Sequence, residues 1–225
     1  LGTAEEVTGG LGKTVDLLAY SWKAHSLLDG VAVDAGPRSA ATDASGALRF
    51  EGVAEPTLAL QAERTLAGPE AAAADLAVNL QDAIAILKMI VGLDVNGPGR
   101  ALSPYQAFAA DVDGSGGVGL DDAIAVLRHV VGLPAPAPQW LFFNEADAAV
   151  PATAVLTPGA VPALAVDLSG GSPVHAGLVA VLRGDVDGSH VADGAADLDA
   201  IQPGYFDALT ARTGLDLSQF GIYPG

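Results

Sequence analysis

Asp111-Val112-Asp113-Gly114-Ser115-Gly116-Gly117-Val118-Gly119-Leu120-Asp121-Asp122 places oxygen-bearing side chains at positions 1, 3, 5 and 12 of a twelve-residue stretch. Gly116 stands at position 6 and apolar Val118 at position 8. A hard cation takes six to eight oxygens at about 2.3–2.6 Å, and a short loop can aim its odd-numbered side chains inward only if its middle turns sharply. Glycine permits that turn. The expected ligands are therefore Asp111, Asp113 and Ser115 by side chain, Gly117 by its carbonyl, water at the side-chain-less Gly119, and Asp122 from the first turn of the next helix. A carboxylate there also suits the positive end of the helix dipole. The chemistry is calcium ligation.

A second acidic stretch, Gly184 to Asp199, opens with the same Asp-Val-Asp-Gly-Ser as the first. Asp185, Asp187 and Ser189, with the Val191 carbonyl, match the first half of the loop, but its position 12 is Ala196. Closing a shell would then require Asp193, Asp197 or Asp199 through an irregular loop. Arg183-Gly184-Asp185 also spells an integrin-type tripeptide, yet Asp185 is better used as a ligand. The four histidines, at 25, 129, 175 and 190, lack metal-ligand spacing and read as surface or edge residues. With no Cys there is no thiolate site, disulfide or Cys nucleophile. No catalytic constellation or phosphate loop stands out, so the chain does not read as an enzyme.

The elements that must position the first loop are repeated. Val78 to Leu93 recurs as Val118 to Leu133 at a constant offset, an internal duplication. Each copy reads as an amphipathic helix ended by a glycine, Gly92 or Gly132. Ile84, Leu87 and Val91, like Ile124, Leu127 and Val131, are expected to form its buried stripe. Ser103-Pro104 starts a short helix between the copies. In the first copy the loop equivalent is Ala71 to Asp82, with Ala at positions 1 and 3 and Leu76 in place of the turn glycine. Asp75, Asn79 and Asp82 cannot complete a shell, so this loop is expected to be metal-free or weak.

The Asp-rich loop follows the pattern of an EF-hand. With Asp at position 12, the duplication, the Val-Gly-Leu helix ends and no long entering helix, residues 68–134 resemble a dockerin type I module. The resemblance implies a calcium-held pair of loop-helix units, a secreted or cell-surface location and docking to a cohesin. Positions 10 and 11, Leu80-Gln81 and Leu120-Asp121, depart from the polar pairs of cohesin-binding members.

Either side of this module the texture is β. Tyr20 and Trp22 alternate with polar residues in the stretch from Leu18 to His25, and further strands are expected at 28–33, 47–50, 57–60, 140–143, 162–168 and 177–182. The Thr42 to Gly46 turn before Phe50 resembles that of carboxypeptidase-regulatory-like and related Ig-like extracellular sandwiches. The expected fold is α+β: an antiparallel β-sandwich begun by 1–67, interrupted by 68–134 and completed by 135–225, with a last helix over 203–213 and a strand in the tail 217–223.

The formal net charge of −17, from 10 Lys and Arg against 27 Asp and Glu, excludes nucleic acid and anionic membrane as natural partners. No apolar run reaches the ~18 residues of a membrane span, because Lys88 and Arg128 interrupt the best candidates. About a third of the acidic residues lie in the two loops, where calcium would be their counter-ion. The chain thus reads as an extracellular, calcium-stabilised structural or adhesive module of a bacterial surface, matrix or filament protein, with a protein partner or self-association. The alternatives are cohesin docking and an accessory carbohydrate-binding role on the Tyr20/Trp22 face.

Overall fold

The computed structural model describes residues 12–150, 153–192 and 195–221. Five strands, β1 (Lys13–Ser21), β2 (Ala32–Ala35), β3 (Arg38–Ala41), β4 (Ala47–Val53) and β5 (Thr57–Glu63), precede four helices, α1 (Gly68–Ala77), α2 (Leu80–Ile90), α3 (Pro104–Ala110) and α4 (Leu120–Val130). Strands β6 (Trp140–Asn144), β7 (Leu164–Asp167) and β8 (Val174–Leu182) follow, then helices α5 (Leu198–Ile201) and α6 (Tyr205–Thr213).

The strands form two four-stranded sheets, ordered β4-β1-β8-β6 and β3-β2-β5-β7. All pairings are antiparallel except β1 with β8. Each sheet needs strands from both sides of the helical segment: β8 and β6 complete the first, and β7 completes the second. A parallel pair cannot be joined by a hairpin. Here the connection from β1 to β8 carries most of the chain.

Strands β1 and β8 are central, and their last residues, Leu17 to Ser21 and Ala176 to Leu182, are buried on both faces. Buried residues of both sheets share one apolar cluster, including Leu17 and Ala19 of β1, Val33 of β2, Leu58 and Leu60 of β5, Val166 of β7 and Leu178 of β8. The opposite face of the first sheet contributes Leu18, Tyr20, Leu141, Phe143, Val179 and Val181 to a second cluster. That cluster also holds Ala83, Ile86 and Met89 of α2, Phe108 of α3 and Ala123 and Val126 of α4. The helices thus cover the face of the first sheet that the other sheet does not.

Four sequence expectations differ from the structure. The first strand ends at Ser21, because His25 adopts φ 50° and the chain reverses there, with Ser21 donating to the Ser26 carbonyl at 2.9 Å. His25 and His190 are buried: the former bonds Asp199 at 2.7 Å, and the latter packs on Trp140 with ring centres 5.4 Å apart. In the tail, Leu217–Phe220 is a 3-10 turn and not a strand. Residues 222 and 223 of that expectation lie outside the described residues.

The fourth difference concerns the repeat helices. Leu80, Ile84, Leu87 and Val91 of the first copy, and Leu120, Ile124, Leu127 and Val131 of the second, are between 37 and 67 % exposed. The buried residues are Asp82, Ala83, Ala85, Ile86 and Met89 in α2 and Asp122, Ala123, Ala125 and Val126 in α4. The inward face is set by the aspartates, which must point into the loops they hold; Ile86, Met89 and Val126 share that face, and Leu80, Ile84, Leu87, Leu120, Ile124 and Leu127 are thereby turned outward. Tyr20 and Trp22 are buried, so they present no stacking platform at the surface.

Candidate metal centres

Helix α4 begins at Leu120 because Asp122 folds back on the chain before it. One carboxylate oxygen accepts the Gly119 N–H at 2.8 Å, and the other accepts those of Val112 at 2.8 Å and Asp113 at 3.2 Å. Asp111 accepts from the Gly116 N–H at 3.0 Å and lies 3.4 Å from the Ser115 hydroxyl, which also approaches the Gly117 carbonyl at 3.2 Å. Asp113 accepts the Ser115 N–H at 2.9 Å. Gly114 and Gly116 take φ values of 71° and 82°, the left-handed turns that let the loop close on itself. Oxygens of Asp111, Asp113 and Asp122 all lie within 4.8 Å of one another.

The same arrangement is built a second time from two distant pieces of chain. Asp82 of α2 accepts the Asn79 N–H at 2.8 Å with one oxygen, and with the other the N–H groups of Val186 at 2.7 Å and Asp187 at 3.1 Å. Asp185 accepts from the His190 N–H at 2.9 Å and the Ser189 hydroxyl at 3.1 Å, and Asp187 accepts the Ser189 N–H at 2.9 Å. Bond for bond, Asp82 does for residues 185–190 what Asp122 does for residues 111–116. Oxygens of Asp82, Asp185 and Asp187 also fall within 4.8 Å of one another.

The sequence-expected residues are therefore distributed unevenly. Asp111, Asp113, Ser115, Gly117 and Asp122 come together at the first centre. Asp185, Asp187 and Ser189 come together at the second. Asp197 caps α5 by accepting the Asp199 N–H at 2.9 Å, and Val191 is exposed. Asp193 lies outside the described residues. The closing carboxylate is Asp82, because the stretch expected to be a degenerate loop is helix α1 through Ala77, followed by the N-cap residue Asn79.

The physical reason lies at position 6. His190 stands where the first loop has Gly116, and it is not left-handed. A β-carbon makes that conformation costly. The second loop therefore lacks the glycine turn by which the first closes on its own helix. Its position 2, Val186, and Val112 of the first loop are both buried in the apolar cluster with α2 and α4. Gln106 of α3 donates to the Val186 carbonyl at 3.1 Å, anchoring the second loop from behind.

Both triads are electrostatically costly. Asp82, Asp122 and Asp185 are 0, 2 and 2 % exposed. Loss of hydration raises the carboxyl of Asp82 from 3.8 to about 6, and raises those of Asp122 and Asp185 as well. The neighbouring carboxylates, Asp187 for Asp82 and Asp82 for Asp185, push in the same direction. Buried like charges need a proton or a cation to remain. Either triad could hold a metal ion, and the donors gathered at each are all oxygen. Asp185 is buried, which leaves the Arg183-Gly184-Asp185 tripeptide without an accessible carboxylate.

One buried charge lies outside both centres and had no signal in the sequence. Glu145, 1 % exposed, accepts from Tyr20 at 3.1 Å, Tyr205 at 2.8 Å and Arg212 at 2.8 Å. It ties the end of β6 to β1 and α6. No family model, curated protein or solved structure matches this chain. Among the described residues, no helix is long and apolar enough to cross a membrane.

Proposed function

We propose that the chain is an extracellular, calcium-stapled assembly module of the structural or adhesive class. Calcium suits the donor set: carboxylates, a hydroxyl at each centre, and the Gly117 carbonyl at the first, with no nitrogen or sulfur ligand. The observation that carries the reading is the second triad, in which Asp82 bonds the backbone of Val186 and Asp187 as Asp122 bonds that of Val112 and Asp113.

The two centres do different work. Calcium at Asp111, Asp113 and Asp122 fixes a loop to its own helix. Calcium at Asp82, Asp185 and Asp187 clamps the helical segment to the chain leaving β8, so the ion joins parts about a hundred residues apart. Because the unfolded chain offers no such site, binding free energy becomes folding free energy. The residues resemble those of a dockerin pair with one loop supplied from elsewhere.

What the staples hold in place is the face of α2 and α4 that carries Leu80, Ile84, Leu87, Leu120, Ile124 and Leu127. Contiguous exposed apolar area of this kind marks interaction surfaces. Its partner is a protein with an apolar surface bordered by acidic groups, since Arg128 lies in the last turn of α4 and the chain's charge of −17 disfavours a second copy. A cohesin-like protein is the alternative partner that the dockerin likeness brings with it. The test is thermal unfolding in millimolar calcium and in EDTA, for the protein as it stands and for Asp82→Asn and Asp122→Asn. Calcium should raise the midpoint, and each substitution should remove part of the rise. An unchanged midpoint overturns the proposal.

A further inference from the structure

The chain carries 10 Lys and Arg, and three of them line one cavity. Lys23 from the turn after β1, Lys88 of α2 and Arg100 of the segment between α2 and α3 surround a space of about 380 Å³. Among the described residues none of the three has a carboxylate within ion-pair distance; the same holds for Lys13, Arg128 and Arg183, while Arg38, Arg49, Arg64 and Arg212 each have one. With 27 acidic residues in the chain, pairing would be easy to achieve. The three cations are instead left facing a cavity whose walls also include apolar Ile84 and the buried indole of Trp22.

That combination has a chemical complement. Small-molecule sites are concave, largely apolar and marked by a few convergent polar groups, and this volume suits a ligand of one ring and one charged group. We infer that the cavity binds a small organic anion, its carboxylate held among Lys23, Lys88 and Arg100 and its apolar body against Ile84 and Trp22. Asp187 also lines the cavity and offsets one of the three positive charges, which leaves the cavity a net cationic lining. The Lys23 ammonium donates to the Asp187 backbone carbonyl, which holds it at the wall. Lys23 and Arg100 are exposed and Lys88 half-buried, so neutral substitutions there remove charge without opening the core.

The experiment is a titration of the full chain with benzoate, followed by the Trp22 indole N–H signal in nitrogen-edited NMR spectra, with neutral benzamide as the control. It is run in calcium and in EDTA, and saturable binding in either buffer supports the inference, which keeps the outcome separate from that of the calcium proposal. The expected result is a saturating shift with benzoate, at least tenfold weaker binding in Lys88→Gln/Arg100→Gln, and no saturation with benzamide. No saturable shift in either buffer overturns it, as does equal binding by benzamide or by the double variant.

Discussion

Replacing Asp82 by Asn isolates the discontinuous centre. The amide keeps one oxygen, which still accepts from the Val186 and Asp187 N–H groups at 2.7 and 3.1 Å. Its NH2 group, turned to Asn79, gives up the 2.8 Å bond at the start of α2, worth about 1 kcal/mol. Against this, the charge held in the metal-free protein disappears. A carboxyl lifted from 3.8 to about 6 corresponds to about 3 kcal/mol of unfavourable ionisation near neutral pH. In EDTA the variant is thus expected to be as stable as the parent, or up to about 2 kcal/mol more stable. In calcium the order reverses. A site saturated at a hundred times its dissociation constant contributes about 2.7 kcal/mol, and for a chain of this length that is about 5–10 °C of midpoint. Melting curves followed by circular dichroism should show the calcium-induced rise shrinking by that amount in Asp82→Asn, with its EDTA midpoint at or above that of the parent. A variant that is destabilised equally in EDTA and in calcium would refute the reasoning, because Asp82 would then be only a helix cap and loop anchor.

Acidity should act through the same carboxyl. Burial lifts Asp82, so the metal-free fold has its full contribution from this group below 3.8 and loses it as pH rises through about 6, whereas calcium requires the ionised form. The midpoint difference between calcium and EDTA should therefore grow from pH 4 to pH 7; a flat difference contradicts the assignment. Gly116→Ala, at φ 82° and with a new β-carbon 3.3 Å from the Gly159 backbone, should weaken calcium at the first centre by at least tenfold and leave the second unchanged, as measured by titration calorimetry. Glu145→Ala strips the partner from Tyr20, Tyr205 and Arg212 and should lower stability by about 3 kcal/mol in calcium and EDTA alike, as measured by urea unfolding. Leu87→Asp/Leu127→Asp, on the outward face of α2 and α4, should leave the melting midpoint within about 2 °C of the parent, since neither side chain is buried.

The strands and helices were legible where local chemistry decides them. Ser103 with Pro104 starts α3, Gly92 and Gly132 follow α2 and α4 in the left-handed conformation, and Ala47 begins β4 after a turn in which Asp43 accepts the Ser45 and Ala47 N–H groups. The face of the repeat helices was not legible from hydropathy, because the 3.6-residue period fits two stripes. Ile84 and Leu87 satisfy it, and so do Ala83 and Ile86. What decides between them is the inward turn of Asp122 onto its own loop and of Asp82 onto the chain a hundred residues away. The first centre could be read whole because its ligands are contiguous. The second was present only as halves: Asp185 to Ser189 form a loop with no carboxylate at its twelfth position, and Asp82 is a twelfth-position carboxylate with no loop. Pairing those two incomplete halves is the signal that would have found it. Reading each stretch by itself left the second loop to close on Asp193, Asp197 or Asp199, because a linear count cannot see that α2 and the end of β8 meet. Lys23, Lys88 and Arg100 likewise share a cavity without sharing any sequence pattern.

The stoichiometry of calcium binding tests the central claim most directly. Titration calorimetry of the metal-free chain should give two ions per chain, falling to one in Asp82→Asn and to one in Asp122→Asn. A single ion that Asp82→Asn leaves untouched, or no binding at all, would contradict the account.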